Sequence, residues 1–181
     1  LPEKLWQAAS EKYGPIADIL PVLPLQQGLL FHAQLGQEAN NYNAISRFDL
    51  QGELDIERLR DALESLLQRY PQLGAIFDSE LHPESLQILP QIHGNARRWP
   101  WRQHDLSALT PHQQMAETQR LEREGLARDL MRDTAGTLQP LLVATLIRYS
   151  SERHSLVIIA HHLVGDGWSS AILLHDLLHL Y

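Results

Sequence analysis

The sequence predicts a single layered domain in which strands and helices mix along the chain, of the α/β or α+β class. Three observations carry that prediction. A strongly amphipathic helix follows Asp55, with Ile56, Leu59, Leu63, Leu66 and Leu67 on one stripe and Glu57, Arg58, Asp61, Glu64 and Gln68 on the other. Two apolar runs, Pro140 to Tyr149 and Ser155 to His161, flank the polar turn Ser150-Ser151-Glu152-Arg153, which is a hairpin signal. The 181 residues, 44% hydrophobic and 20% charged, keep one composition regime throughout, with no internal repeat or low-complexity tract.

In chain order, residues 1–15 read as a short helical lead-in or linker outside the core, and residues 16–181 as the folded unit. Pro24 opens a short helix, because proline suits a first turn and Leu25, Leu29 or Leu30 and Ala33 then fall at helical spacing. Tyr42 to Leu50 alternates as a strand does and stops at Gln51-Gly52. After the Asp55 helix, strand-like stretches lie at Leu73 to Phe77, Leu86 to Leu89 and Arg98 to His104, separated by turns at Asp78-Ser79 and His93-Gly94-Asn95. Thr110-Pro111-His112-Gln113 has the capping-box pattern and opens a mostly polar, surface-lying helix running to about Met131. Behind the hairpin, Ser169 or Ser170 caps a last helix carrying Ile172, Leu173, Leu177, Leu178 and Tyr181.

Composition removes several classes of function. With 22 acidic against 15 basic side chains, a formal charge of −7 and no basic cluster denser than Arg97-Arg98, a phosphate-backbone partner has no electrostatic footprint. The absence of cysteine excludes disulfides, thiolate metal sites and a cysteine nucleophile, and permits a reducing compartment. Without a basic-then-apolar start or an apolar run near the ~18 residues a membrane helix needs, the chain is expected to be a cytoplasmic protein with no membrane partner. His175 and His179 stand four apart on the last helix, but no Glu lies between them in the metalloprotease pattern, so a solvated or packed helix face is expected and no metal. No Gly-x-Ser-x-Gly elbow is present, and Trp99 and Trp101, alternating in a strand, are explained by packing.

The chemistry concentrates at His161-His162-Leu163-Val164-Gly165-Asp166-Gly167. The preceding Leu156-Val157-Ile158-Ile159-Ala160 is apolar at consecutive positions, as a central strand covered on both faces requires. Because side chains alternate along a strand, His161 and His162 are expected to point in opposite directions. Gly165-Asp166-Gly167 then makes a turn, and a helix start follows at once, so strand end, turn and helix N-terminus meet at one point.

The pattern His-His-x-x-x-Asp-Gly, continued as Trp168-Ser169, resembles the signature of condensation domains of nonribosomal peptide synthetases and is similar to the shorter signature of chloramphenicol acetyltransferase. Leu23-Pro24-Leu25-Gln26-Gln27-Gly28-Leu29-Leu30-Phe31-His32 resembles that family's opening motif, and Leu67-Gln68-Arg69-Tyr70-Pro71-Gln72-Leu73 through Phe77 its second, so the likeness covers about Ile16 to Tyr181. It implies an α/β fold of the chloramphenicol acetyltransferase-like kind, a mixed β-sheet packed with helices. It further implies that the chain is the first of two lobes, that the C-terminal lobe is missing, and that this lobe alone is inactive.

The resemblance also implies the reaction: transfer of an acyl or peptidyl group from an upstream carrier-protein thioester to the amine of an aminoacyl group on a downstream carrier protein. The implied partners are those two peptidyl carrier proteins, the adjacent adenylation domain and the missing lobe. No cofactor is bound covalently; 4′-phosphopantetheine arms come from the carrier proteins. His162 corresponds to the catalytic histidine. An α-amine near pKa 8 and an ordinary imidazole near 6.5 make positioning of the amine, or late proton removal, at least as credible as early deprotonation. His161 and Asp166 are implied to be structural, Gly167 to give substrate access, and Trp168 and Ser169 to border the substrate channel.

Two positions depart from the family pattern. The arginine expected after Leu73 to pair with an inward-turned Asp166 is Gly74, so Asp166 is expected to need backbone N–H groups, a cation such as Arg69 or Arg148, or water. The position after Leu142, often arginine, is Val143. Gly74 and the absent lobe leave room for a non-catalytic docking or scaffold module, and the likeness to the acetyltransferases leaves room for a free-standing acyltransferase that completes its tunnel by oligomerising. The Gln-Gln-Gly-Leu-Leu-Phe-His style of the opening motif leans towards a D-configured donor.

Overall fold

The computed structural model describes residues 3–34, 42–91, 99–133 and 140–181. The turn expected at His93-Gly94-Asn95, the Arg97-Arg98 pair, Leu1 and Pro2, and the side chain of Ala33 lie outside the described residues.

Among these residues, strands build two sheets. Helix α1 (Glu3–Tyr13) leads into strand β1 (Ile16–Pro21), and α2 (Pro24–Gln34) into β2 (Asn43–Gln51). Helix α3 (Ile56–Arg69) and a 3₁₀ turn (Pro71–Gly74) precede β3 (Ile76–Asp78), β4 (Leu86–Pro90) and β5 (Trp101–Asp105). Helices α4 (Pro111–Leu126) and α5 (Leu130–Asp133) precede the hairpin of β6 (Leu142–Arg148) and β7 (Arg153–His161), and α6 (Gly167–Leu180) closes the order. The smaller sheet runs β1-β4-β3, all antiparallel, and the larger runs β2-β7-β6-β5. In the larger sheet β5 lies parallel to β6 and the other pairs are antiparallel, so the sheet is mixed. The parallel pair needs a crossover, which α4 and α5 supply.

Both faces of the larger sheet are covered. Leu142, Ala144 and Leu146 of β6 and Leu156 of β7 pack under α3, whose Leu59, Leu63, Leu66 and Leu67 are buried, and under Leu177 of α6. Burying each of those four leucines contributes about 2 kcal/mol. The alternate residues Val143, Ile147, Val157 and Ile159 face Leu121 of α4. This double covering is why β6 and β7 are apolar at consecutive positions rather than alternate ones. Gly125 of α4 lies so near β7 that a Cβ there would sit 2.2 Å from the Ile159 side chain.

Several elements sit as the sequence requires. Asp55 caps α3 by accepting from the Arg58 N–H at 3.0 Å. Thr110 and Gln113 form the capping box of α4. Other expectations need correction. Residues 3–13 are helical but not outside a core, since Leu5 and Ala9 pack with Ile16, Ile19, Leu86 and Ile88. Of the apolar residues at helical spacing on α2, Leu25 is exposed, while Leu29 and Leu30, given as alternatives, are both buried. The stretch from Leu73 opens as a 3₁₀ turn behind Pro71, and only Ile76–Asp78 is strand. The helix expected to reach Met131 ends at Leu126, because Asn43 of β2 donates to the Leu126 and Arg128 carbonyls at 3.0 and 2.7 Å and so satisfies its C-terminal end. The last helix is capped by Asp166 rather than Ser169 or Ser170.

Candidate active site

At the end of β7 the two histidines part. The ring of His161 is fully buried, whereas His162, first residue of the following turn, is exposed. The backbone still holds both to neighbouring strands: His161 N–H donates to the Leu141 carbonyl at 2.9 Å and His162 N–H to that of Tyr42 at 2.8 Å.

Their hydrogen bonds set opposite tautomers. The Leu163 N–H donates to His161 Nδ1 at 3.1 Å, so the neutral His161 ring carries its proton on Nε2, which is buried and has no hydrogen-bond partner among the described residues. Burial, and secondarily the neighbouring His162, push the His161 pKa down to about 4. At His162 the 3.2 Å contact runs from Nδ1 to the Gly165 carbonyl. A carbonyl only accepts, so Nδ1 carries the proton and the neutral ring keeps its lone pair on Nε2.

The turn between the histidine and the helix is anchored from below. Leu163 and Val164 are buried against Leu29 and Leu30 of α2 and Leu141. Two leucines from the second half of the opening motif are thus the floor of the histidine loop. The Gln26 side chain reaches the same loop, donating to the Leu163 carbonyl at 3.0 Å. Sequence inspection does not single out this residue; a glutamine as the third residue of a helix that proline opens is a capping signal, and its distant contact follows only from the fold.

Asp166 does not turn inward. It is exposed at the N-cap of α6, where its carboxylate accepts the Ser169 N–H at 2.9 Å and the Ser169 hydroxyl at 2.8 Å. Those bonds, the backbone one first, hold its pKa below the ordinary aspartate range. The cations named as alternative partners are engaged elsewhere, Arg69 with Asp176 at 3.0 Å and Arg148 with Asp105 at 3.4 Å. Gly74 is buried at the end of its 3₁₀ turn and Val143 on the α4 side of the sheet, so neither position faces Asp166 with a charge. Ser169 spends its hydroxyl on the cap, while Trp168 stands 85% exposed. Among the described residues, nothing beyond its chain neighbours and its own helix backbone lies within 4 Å of where a Cβ on Gly167 would stand, so packing of those residues does not require glycine there.

Two other places resolve differently. His175 and His179 lie on the exposed side of α6 with ring centres 4.3 Å apart, and among the described residues no third ligand joins them. A groove of about 510 Å³, lined by residues including Arg47, Gln114, Tyr149 and Arg153, opens at the other end of β7 from the histidines. Among the described residues, no helix is long and apolar enough to cross a membrane.

Residues 16–181 match the family model described as the condensation domain. The chain belongs to the condensation-domain family. It is 40% identical over 169 residues to vanchrobactin synthetase VabF of Vibrio anguillarum, covering 93% of this chain and 6% of that protein. Tyrocidine synthase 2 of Brevibacillus parabrevis is 30% identical over 166 residues, 92% of this chain and 4% of that protein. Among solved structures, the starter condensation domain of rhizomide synthetase RzmA superposes with a TM-score of 0.77 at 16% identity, over 91% of this chain and 39% of that one. The first condensation domain of the calcium-dependent antibiotic synthetase, in complex with a substrate analogue, gives 0.74 at 22%, over 89% and 36%. The condensation-domain fold, chloramphenicol acetyltransferase-like with a mixed sheet and helices, is therefore the fold of this chain, which spans well under two thirds of each relative.

Proposed function

We propose that residues 16–181 are the N-terminal, motif-bearing lobe of a nonribosomal peptide synthetase condensation domain, with residues 1–15 leading into it. A C-terminal lobe completes the site, and this lobe alone is inactive, since His162 stands exposed with nothing among the described residues enclosing a substrate over it. The partners are an upstream and a downstream peptidyl carrier protein, whose 4′-phosphopantetheine arms present the two substrates, and an adjacent adenylation domain.

The observation that carries the reading is the state of His162: exposed at the strand end, with Nδ1–H held by Gly165 and the Nε2 lone pair left for a substrate. The acceptor's amine nitrogen attacks the donor thioester carbonyl carbon, forming the C–N bond. The surplus proton on that nitrogen passes to His162 Nε2, the C–S bond breaks, and the departing pantetheine sulfur takes up a proton. Gly167 keeps the approach to the ring clear. Gly74 gives no support to a non-catalytic scaffold, since Asp166 is satisfied by the helix end without an arginine.

The test is peptide-bond formation by the full-length protein bearing His162→Ala, with both carrier proteins loaded. A loss of about 10²-fold or more is expected, the scale of a positioned proton acceptor. Unchanged product formation overturns the catalytic role.

A further inference from the structure

We propose that Gln26 is a positioning residue for His162, its side-chain amide clamping the turn that holds the imidazole. The proposal rests on the reading of His162 given above. Gln26 is the third residue of α2 and half-buried. Its Oε1 accepts the Leu23 N–H at 2.9 Å, the returning half of a capping box. A glutamate would serve that bond equally well.

The other half of the amide goes much further. Nε2 donates to the Leu163 carbonyl at 3.0 Å, 137 residues away, and at 3.4 Å to Oε1 of Gln87, a buried residue of β4. One amide thus ties the start of α2 to β4 and to the histidine loop. Reversing it would set its oxygen against the Leu163 carbonyl and its NH₂ against the Leu23 N–H, so these two backbone groups fix its orientation.

The clamp acts where the ring depends on it. His162 is exposed, so packing does not hold its imidazole; the Gly165 carbonyl does, at 3.2 Å. Within the turn the His161 carbonyl is taken by the Val164 N–H at 3.0 Å, and Gln26 takes the carbonyl of Leu163. Releasing it frees the Leu163–Val164 peptide plane to rotate and carries Gly165, and the ring bonded to it, out of place. Displacement of a catalytic group by ~1 Å costs as much as ~10²-fold in rate. Stability rests on different atoms, the buried side chains of Leu163 and Val164.

Gln26→Glu separates the two roles, because the carboxylate keeps the bond to Leu23 and cannot donate to Leu163. In the full-length protein with loaded carrier proteins, Gln26→Glu is expected to lower kcat about tenfold, with KM within about twofold and Tm within a few degrees. Amide hydrogen exchange of residues 163–165 is expected to quicken. Gln26→Ala should show the same fall in kcat and, having also lost the helix cap, a lower Tm. Wild-type kcat and wild-type exchange in Gln26→Glu overturn the proposal. A His162→Ala control keeps the readings apart: if that variant turns over normally, the function assigned to His162 fails, and exchange at 163–165 in Gln26→Glu alone decides whether the clamp exists.

Discussion

His161 and His162 share a backbone but not an environment, and their protonation should diverge accordingly. Strand alternation sends one ring into the core and leaves the other at the surface. Charging His161 means creating an imidazolium inside an apolar shell, which is why its pKa falls from 6.5 to about 4. The unfolded chain takes up this proton near pH 6.5 and the folded chain only near 4. Stability from this group is therefore complete above about pH 6.5 and is lost as pH falls towards 4, amounting to about 3 kcal/mol across the interval. NMR titration of the imidazole signals should show His161 neutral at pH 5.5. A His161 signal that shifts with a midpoint near 6.5 would refute its burial as the controlling cause.

At the scale of elements, α6 shows how one residue type serves a different end from the one its motif suggests. The carboxylate of Asp166 satisfies the Ser169 N–H at the helix start, a task that asparagine performs as well and alanine does not. Asp166→Ala should lower the midpoint of chemical denaturation, and Asp166→Asn should leave it close to that of wild type. If asparagine costs as much as alanine, a charge-dependent partner rather than the cap explains the residue. Sequence legibility follows the same local logic. The α3 stripe was readable because its leucines and its Asp55 cap lie within one helix. The Asp166 cap was hidden because Gly165-Asp166-Gly167 also spells a turn. Strand β1 carried no alternating pattern, since a register shift between Ile16 and Asp18 leaves only Ile16 and Ile19 buried. The burial of Leu5 and Ala9, four residues apart on α1, depended on a sheet formed much later in the chain. His162 was legible through its motif; Gln26 was not, because its partner lies 137 residues away.

Over the whole molecule, the histidine loop sits where the two sheets join: Phe77 of the smaller sheet and Leu141 and Ala160 beside the larger one pack into the cluster that holds Leu163 and Val164. The far side of the smaller sheet is fastened by charge. Asp78, buried at the end of β3, accepts Lys12 Nζ at 2.7 Å, the Tyr13 hydroxyl, and the N–H groups of Glu80 and Leu81 at 2.7 Å each, pinning α1 to the sheet. Burial opposes ionisation of this carboxyl, but the bonds from Lys12, Tyr13 and the backbone prevail and draw its pKa from 3.8 down to about 2. A depressed carboxyl stabilises above its unfolded pKa, so this contribution, about 2 kcal/mol, is present above pH 4 and drains away between about 4 and 2. Asp78→Asn keeps one oxygen for the backbone N–H groups and loses the ion pair with Lys12. Denaturant unfolding should place it about 2 kcal/mol below wild type at pH 5.5, with the gap roughly halved at pH 3. A gap of the same size at both pH values would mean that shape and neutral hydrogen bonding, rather than the carboxylate charge, hold α1 in place.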